Sequence, residues 1–251
     1  MEKTNDSLKT TPRHSVVRWL KEKSRRWLLW PPAGKVRFGT LQRRNPISRR
    51  FGMDRGQCID RYYIEAFLGR HRESIRGRVL EIADREYTER FGGDRVTQSD
   101  VLHFMQGNTK ATMVADLAHG EDLPSEAFDC IILTQTLQHI YEVRSAVQTL
   151  QRILIPGGVL LATFPGISQI SRYDMDRWGD YWRFTTLSAQ RLFDEAFGSP
   201  NVTVAAYGNV LAVIAFLHGL AAHELKREEL DYVDPDYQLV VAVKAMKDGA
   251  H

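Results

Sequence analysis

Cysteine is scarce in this chain: it has two among 251 residues, Cys58 and Cys130. Two thiols cannot build the disulfide framework of a small secreted domain. Cys130 lies inside the apolar run Cys130-Ile131-Ile132-Leu133 and is expected as a small buried hydrophobe. No stretch approaches the roughly 18 consecutive apolar residues of a membrane-spanning helix. The first twenty residues are polar and charged, without an apolar core or a small-residue cleavage site, which argues against secretion. A reducing, cytoplasmic setting is the expectation. The glycine fingerprint G-x-G-x-x-G of dinucleotide sites is also missing, and this counts against a nicotinamide-dependent oxidoreductase. The acids and histidines show no tight ligand spacing, so no metal is expected.

A hydrophobic content of 43% and a charged content of 26% are those of an ordinary globular chain long enough for one large core. The net charge of +3 hides an asymmetry. Residues 1 to 50 hold 14 Lys and Arg against 3 acids, whereas the other 201 residues hold 20 against 28. The sequence therefore divides into a basic arm, residues 1–45, and an acidic body, residues 46–251. In the arm, residues 13–30 read as a basic amphipathic helix stopped by Pro31-Pro32. Its Trp19, Trp27 and Trp30 suit an anionic membrane surface, a partner protein, the protein's own core or a second subunit of a homodimer. Nucleic acid is not expected, because the basic residues form no recognised binding motif and the body is acidic.

The body is organised around residues 77–116. Gly77-Arg-Val-Leu-Glu-Ile-Ala-Asp84, Val96 to Asp100 and Ala111 to Asp116 are short apolar or β-branched runs, each closing on a carboxylate. Buried parallel strands read this way when their tips carry polar groups to a ligand crevice. Asp100 follows Glu81 by 19 residues, a spacing that places a carboxylate to accept from ribose hydroxyls in an open α/β sheet. A helix capped by Asp60 precedes the first strand. Further strands are expected at 130–133, 159–164, 202–207 and 238–245, and helices at 143–153, 188–197 and 210–225. Strands separated by helices or long connections predict an α/β fold with a doubly wound, mostly parallel seven-stranded sheet. The long aromatic connection from Pro165 to Thr186 is expected to be functional.

This order of landmarks resembles a family. Glu81-Ile-Ala-Asp84, Asp100, Asp116, the block Phe128 to Ile140 and Arg152-Ile-Leu-Ile-Pro-Gly-Gly-Val-Leu-Leu161 are similar to the class I S-adenosylmethionine-dependent methyltransferases. Over residues 46–251, Pro46-Ile-Ser-Arg49, Asp54-Arg-Gly56, Ile59-Asp-Arg-Tyr-Tyr63 and Ser171 to Thr185 resemble bacterial methyltransferase-domain proteins associated with polysaccharide, glycan or secondary-metabolite biosynthesis. The resemblance implies an enzyme that uses S-adenosylmethionine, releases S-adenosylhomocysteine and methylates an oxygen, less readily nitrogen or carbon, of a small-molecule or glycan-linked acceptor. It puts the cofactor's methionine end near Glu81, Ala83, Thr134 and Gln135, its ribose at Asp100, and its adenine by Val101, Asp116 and Leu117. Arg55 and Tyr63 would cover its carboxylate.

His139 is the leading candidate base, since its imidazole titrates near neutrality, and a structural histidine is the alternative. Asp174 could replace it, and Tyr173 and Arg183 belong to the expected acceptor wall. One departure stands out. Where the family's turn carries glycines, this chain has Ala83 and Arg85, so Ala83 fits with a negative φ and Arg85 must point away from the ligand. The same departure keeps open a catalytically degenerate scaffold subunit in glycan assembly.

Overall fold

The computed structural model describes residue 31 and residues 35–249. The expected arm helix over residues 13–30 lies outside the described residues. Two compact units divide between Asn45 and Pro46. Of the first, the described part holds one 3-10 turn, Gly39–Leu41.

The second unit is built on one seven-stranded sheet of order β3-β2-β1-β4-β5-β7-β6. Its strands are β1 (Gly77–Ile82), β2 (Val96–His103), β3 (Met113–Val114), β4 (Phe128–Thr134), β5 (Leu154–Pro165), β6 (Val202–Tyr207) and β7 (Val240–Met246). The first five run parallel, while β7 lies between β5 and β6 and is antiparallel to both. β1 is therefore flanked by β2 and β4, and its apolar residues alternate between two cores. Leu80 and Ile82 meet Ile131, Leu133 and Leu160 on one face. Val79 meets Cys130, Ile132 and Leu161 on the other.

The described residues form six α-helices: α1 (Ile59–Arg70), α2 (Val143–Ile153), α3 (Arg172–Met175), α4 (Thr186–Phe197), α5 (Val210–His218) and α6 (Arg227–Asp231). In α2 the buried apolar residues are Ala146, Val147, Leu150 and Ile153, the stripe a one-sided helix presents to a sheet. With α4 it packs on the Leu80 face, and α1 and α5 pack on the Val79 face.

Several expected boundaries move, each for a local reason. The helix expected to begin after Asp60 starts at Ile59, leaving Asp60 in its first turn. The helix expected to run to Leu225 stops at His218, because Gly219 takes φ 72° and closes it with a left-handed cap. A Cβ at Gly219 would lie 2.3 Å from the Ser48 carbonyl oxygen, so only glycine fits. The helix instead gains an N-cap in Asn209, whose side chain accepts from the Ala212 N–H. The second strand continues past Asp100 to His103, which bears directly on the site.

Candidate active site

In an open α/β sheet the ligand crevice lies beyond the carboxyl ends of the strands, here the tips of β1, β2, β4 and β5. Two neighbouring tips leave the sheet through left-handed backbone on residues other than glycine: Ala83 after β1 at φ 72° and Gln135 after β4 at φ 47°. Each still extends the ladder, Ala83 N–H donating to Leu102 O at 3.0 Å and Gln135 N–H to Thr163 O at 2.8 Å. A Cβ in this conformation costs about 1–2 kcal/mol, and such strain concentrates at functional sites. The negative φ expected of Ala83 is therefore corrected: alanine adopts the glycine conformation, and its exposure spares it a clash. Ala83→Gly is expected to raise stability by about 1 kcal/mol, read as a higher midpoint in urea denaturation. An unchanged or lower midpoint would show the turn to be unstrained.

The three carboxylates read from sequence do not converge. Glu81 is 3% exposed and turns to the Val79 face. There it accepts from the Tyr87 N–H at 3.1 Å and from the Thr88 N–H and hydroxyl at 2.7 Å each. It thus ties the tip of β1 to the start of the π-helical turn Thr88–Gly92. Burial pushes its carboxyl up to about 7, against these hydrogen bonds, which favour the charged form. Asp100 pairs with Leu80 in mid-strand, three residues short of the tip of β2. It accepts from Arg78 Nε at 2.7 Å, Gln98 Nε2 at 3.0 Å and Thr112 Oγ1 at 3.1 Å. Its expected place at the ribose is corrected, and His103 stands at the tip instead. Asp116 caps the 3-10 segment Leu117–Asp122, accepting from the Ala118 N–H, with His119 Nδ1 3.1 Å from its other oxygen. The pairing raises the His119 imidazolium's pKa.

Two further residues leave the cofactor list. Arg55 grips Glu224 through both a 2.9 Å hydrogen bond from Nε and a short contact from a terminal nitrogen, which holds the Glu224 carboxyl down at about 2. Tyr63 is buried, stacks on Tyr207 and donates to Leu230 O at 2.9 Å. Both are committed to packing α1 against the segments around α6. Val101 and Leu117 are both buried, Leu117 in the core on the Leu80 face. Arg85 is half-buried and bonds no described residue through its side chain.

What the structure does assemble is a ring of polar and aromatic groups at the end of β4. His139 donates from Nδ1 to Gly179 O at 2.7 Å, so the lone pair sits on Nε2. Gln138 Nε2 donates both to Gln135 O at 2.8 Å and to His139 Nε2 at 3.2 Å. Asp174 Oδ2 lies 3.9 Å from the same Nε2 and accepts from Ser171 Oγ at 2.5 Å. Trp178 meets His103, His139 and Tyr173 edge-on, at centroid distances of 6.5, 6.3 and 6.2 Å. Its indole thereby bridges the ends of β2 and β4. Tyr173 carries the Arg177 guanidinium 3.6 Å above its ring. Arg183, expected on the acceptor wall, is instead committed to both oxygens of Asp180 and to the carbonyls of Gln169 and Trp182.

Among the described residues, four buried polar atoms here lack a hydrogen-bond partner: Gln135 Nε2, Gln138 Oε1, Thr163 Oγ1 and Trp178 Nε1. Thr163 pairs with Thr134 across β4 and β5, so the tips of these strands and the loop over them supply all four. Buried donors and acceptors are rarely left unpaired, at about 1–3 kcal/mol each, and a cluster of them at a strand-end crevice marks where a polar ligand completes the bonding. Of this group the sequence singled out only Gln135. Gln138, Thr163 and Trp178 lay within recognised blocks, but nothing in their spacing showed which side chains would end unpaired. His103 and Asn108, whose Nδ2 donates to Ala83 O at 2.7 Å, carried no sequence signal at all.

Residues 77–162 match a family model described as a methyltransferase domain. No curated protein matches the chain. Among solved structures, the N-methyltransferase NodS of Bradyrhizobium japonicum, in complex with S-adenosyl-L-homocysteine, shares 15% identity at a TM-score of 0.49, covering 82% of this chain and 94% of its own. An S-adenosylmethionine-dependent methyltransferase from Mesorhizobium loti shares 16% at 0.48, covering 78% and 100%. One from Archaeoglobus fulgidus shares 11% at 0.48, covering 74% and 94%. Over residues 77–162 the match gives a methyltransferase domain, hence an enzyme with S-adenosylmethionine as its cofactor, and the sheet order is that of the class I Rossmann-like α/β fold. Neither the nicotinamide-dependent nor the scaffold reading is favoured. Among the described residues no helix is long and apolar enough to cross a membrane, and no three His, Cys, Asp or Glu side chains gather as a metal site.

Proposed function

We propose that this enzyme works in the cytoplasm and transfers a methyl group to a hydroxyl oxygen of a small-molecule or glycan-linked acceptor, with His139 as the base. The observation that carries the reading is the set of unpaired polar atoms at the tips of β4 and β5 beside a histidine whose lone pair lies on Nε2, where Gln138 Nε2 donates at 3.2 Å. The residues present fit the methionine end of the cofactor. Gln135 Nε2 and Trp178 Nε1 offer hydrogens to a carboxylate, and Gln138 Oε1 and Thr163 Oγ1 accept from an ammonium group. Ala83, Thr134 and Gln135 remain the cofactor-side residues of this reading, with Asp116 and Leu117 on the adenine side.

When bound, the cofactor supplies a sulfonium-activated methyl group. The chain's own part is to align the acceptor, exclude water and take a proton. Nδ1–H is held by Gly179 O, so a hydroxyl proton would go to Nε2 of His139, displacing the 3.2 Å hydrogen bond from Gln138 Nε2, which keeps its bond to Gln135 O. Asp174, 3.9 Å away, would then face the resulting imidazolium and favour it. The loop from Ser171 to Phe184, with Tyr173 and Trp178, walls the acceptor side.

Calorimetry of the full chain with S-adenosylhomocysteine, followed by transfer of labelled methyl from S-adenosylmethionine, tests the reading. Binding with label on a hydroxyl acceptor is the expected result. Binding with label on nitrogen would move the chemistry off oxygen, and absence of binding would remove the donor site.

A further inference from the structure

The imidazole of His139 is met by groups of opposite demand. Gly179 O can only accept, so Nδ1 carries a proton. At Nε2 an N–H of Gln138 arrives at 3.2 Å, while a carboxylate oxygen of Asp174 stands 3.9 Å away. A donor calls for a lone pair on that nitrogen and a carboxylate calls for a proton. One ring atom cannot serve both.

The surroundings decide for the donor. Gln138 is 5% exposed, and its amide is fixed end for end, because the amino group also donates to Gln135 O at 2.8 Å and Oε1 would be repelled there. Gln135 holds its left-handed φ of 47° where its carbonyl meets this amide, which gives the strain of that turn a use. The backbone is tied down as well: Tyr181 N–H donates to Gln138 O at 2.8 Å. On the opposing side, the Asp174 oxygen that faces the ring accepts from Ser171 Oγ at 2.5 Å. Asp180, whose charge also acts on His139, has both oxygens held by Arg183.

We propose that Gln138 is a positioning residue for the base: its buried amide keeps the lone pair on His139 Nε2 against the pull of Asp174, so that the imidazole can take a proton when the acceptor arrives. The inference rests on the methyltransferase reading above, with His139 as base, and adds the residue that keeps this base in working form. A proton drawn onto Nε2 beforehand would leave the ring nothing with which to accept the hydroxyl's. Which ring nitrogen is protonated follows from the partners of both, and here Gly179 O and Gln138 Nε2 specify the same tautomer. The bond to His139 is the longer of the two that Gln138 Nε2 makes. An acceptor hydroxyl can therefore displace it while Gln135 O keeps the amide in place. Asp174 matters only afterwards, opposite the imidazolium.

Ring-nitrogen NMR of the full chain with labelled histidine, titrated from alkaline to acid and with the His139 signals assigned by their loss in His139→Asn, tests the inference. At alkaline pH the wild type is expected to show a protonated Nδ1 and a lone pair on Nε2. In Gln138→Met, which fills the space without a donor, the lone-pair signal should give way to the doubly protonated ring about one pH unit higher, the size one lost hydrogen bond supplies. Adding Asp174→Asn should bring that pH back. Gln138→Glu, which sets an acceptor in place of the donor, should raise it further than Gln138→Met does. A lone pair on Nδ1 in the wild type, unchanged titration in both Gln138 variants, or a rise that Asp174→Asn leaves standing would each overturn the assignment. Calorimetry with S-adenosylhomocysteine on the same samples keeps the two readings apart. Cofactor binding with a ring indifferent to Gln138 discards the positioning role alone, and the expected titrations without cofactor binding discard the donor site alone.

Discussion

Between pH 5 and pH 7 the wild-type chain is expected to lose stability at Glu81 as pH rises, and Glu81→Gln is expected to abolish that dependence. The buried carboxyl keeps its proton in the folded chain up to about 7, whereas an unfolded glutamate releases it near 4.3. Between these values the native state binds more protons than the unfolded one, so the slope of stability with pH is negative. The contribution is complete below the unfolded value, fades through the folded one and is flat above it. A displacement of this size corresponds to about 4 kcal/mol. His71, whose imidazole burial shifts downward, works in the opposite direction, so the wild-type minus variant difference isolates Glu81. The amide also sets an N–H against the Tyr87 or Thr88 donors, a pH-independent cost of about 1–3 kcal/mol. Urea midpoints at pH 5, 6 and 7 should converge as pH rises. Parallel curves would place the carboxyl's titration at its ordinary value.

His139→Ala is expected to lower the rate of methyl transfer by about 10²–10⁴, the usual worth of a positioned base. Truncation also removes the hydrogen bond to Gly179 O and frees the loop, so a second variant is needed to separate the roles. Asparagine can set an N–H where Nδ1 stands and offers no base. If His139 takes the proton, His139→Asn should hold the loop, bind S-adenosylhomocysteine normally and still be slow. If the histidine only pins Gly179, asparagine should restore the rate to within a few fold of wild type. Loss of turnover with retained binding supports the base, and recovery refutes it.

The centre of the sheet could be read from sequence because its strands are buried on both faces and therefore uninterrupted: Cys130 to Leu133 leaves little ambiguity. The α2 stripe was legible for the corresponding reason, one apolar face repeating at helical period. The tip of β2 was misplaced because a carboxylate was taken as the end of a strand. Asp100 instead stays within it, tolerated there because Arg78, Gln98 and Thr112 satisfy its oxygens. Val101 and Leu102 then continue the buried run. Glu81 was located correctly at the end of β1, but its direction depended on which face Val79 and Leu80 chose. The Arg183 and Asp180 pair shows the same limit, since a bidentate staple and an acceptor contact are identical as residue types. Unpaired atoms such as Gln138 Oε1 are invisible in principle to a one-dimensional reading, because they are defined by neighbours that fail to arrive.

The placement of β7 has a consequence for how the chain comes into being. Ribosomes deliver β5 and β6 well before β7, and until Val240–Met246 emerges β5 is paired on one side only, with β4, and β6 on neither. A nascent chain therefore passes through a stage with two naked strand edges, the kind that pair with other chains. A truncation before Val240 should accumulate as aggregate rather than as a smaller folded protein, and chaperone demand should fall abruptly once the last strand slots in.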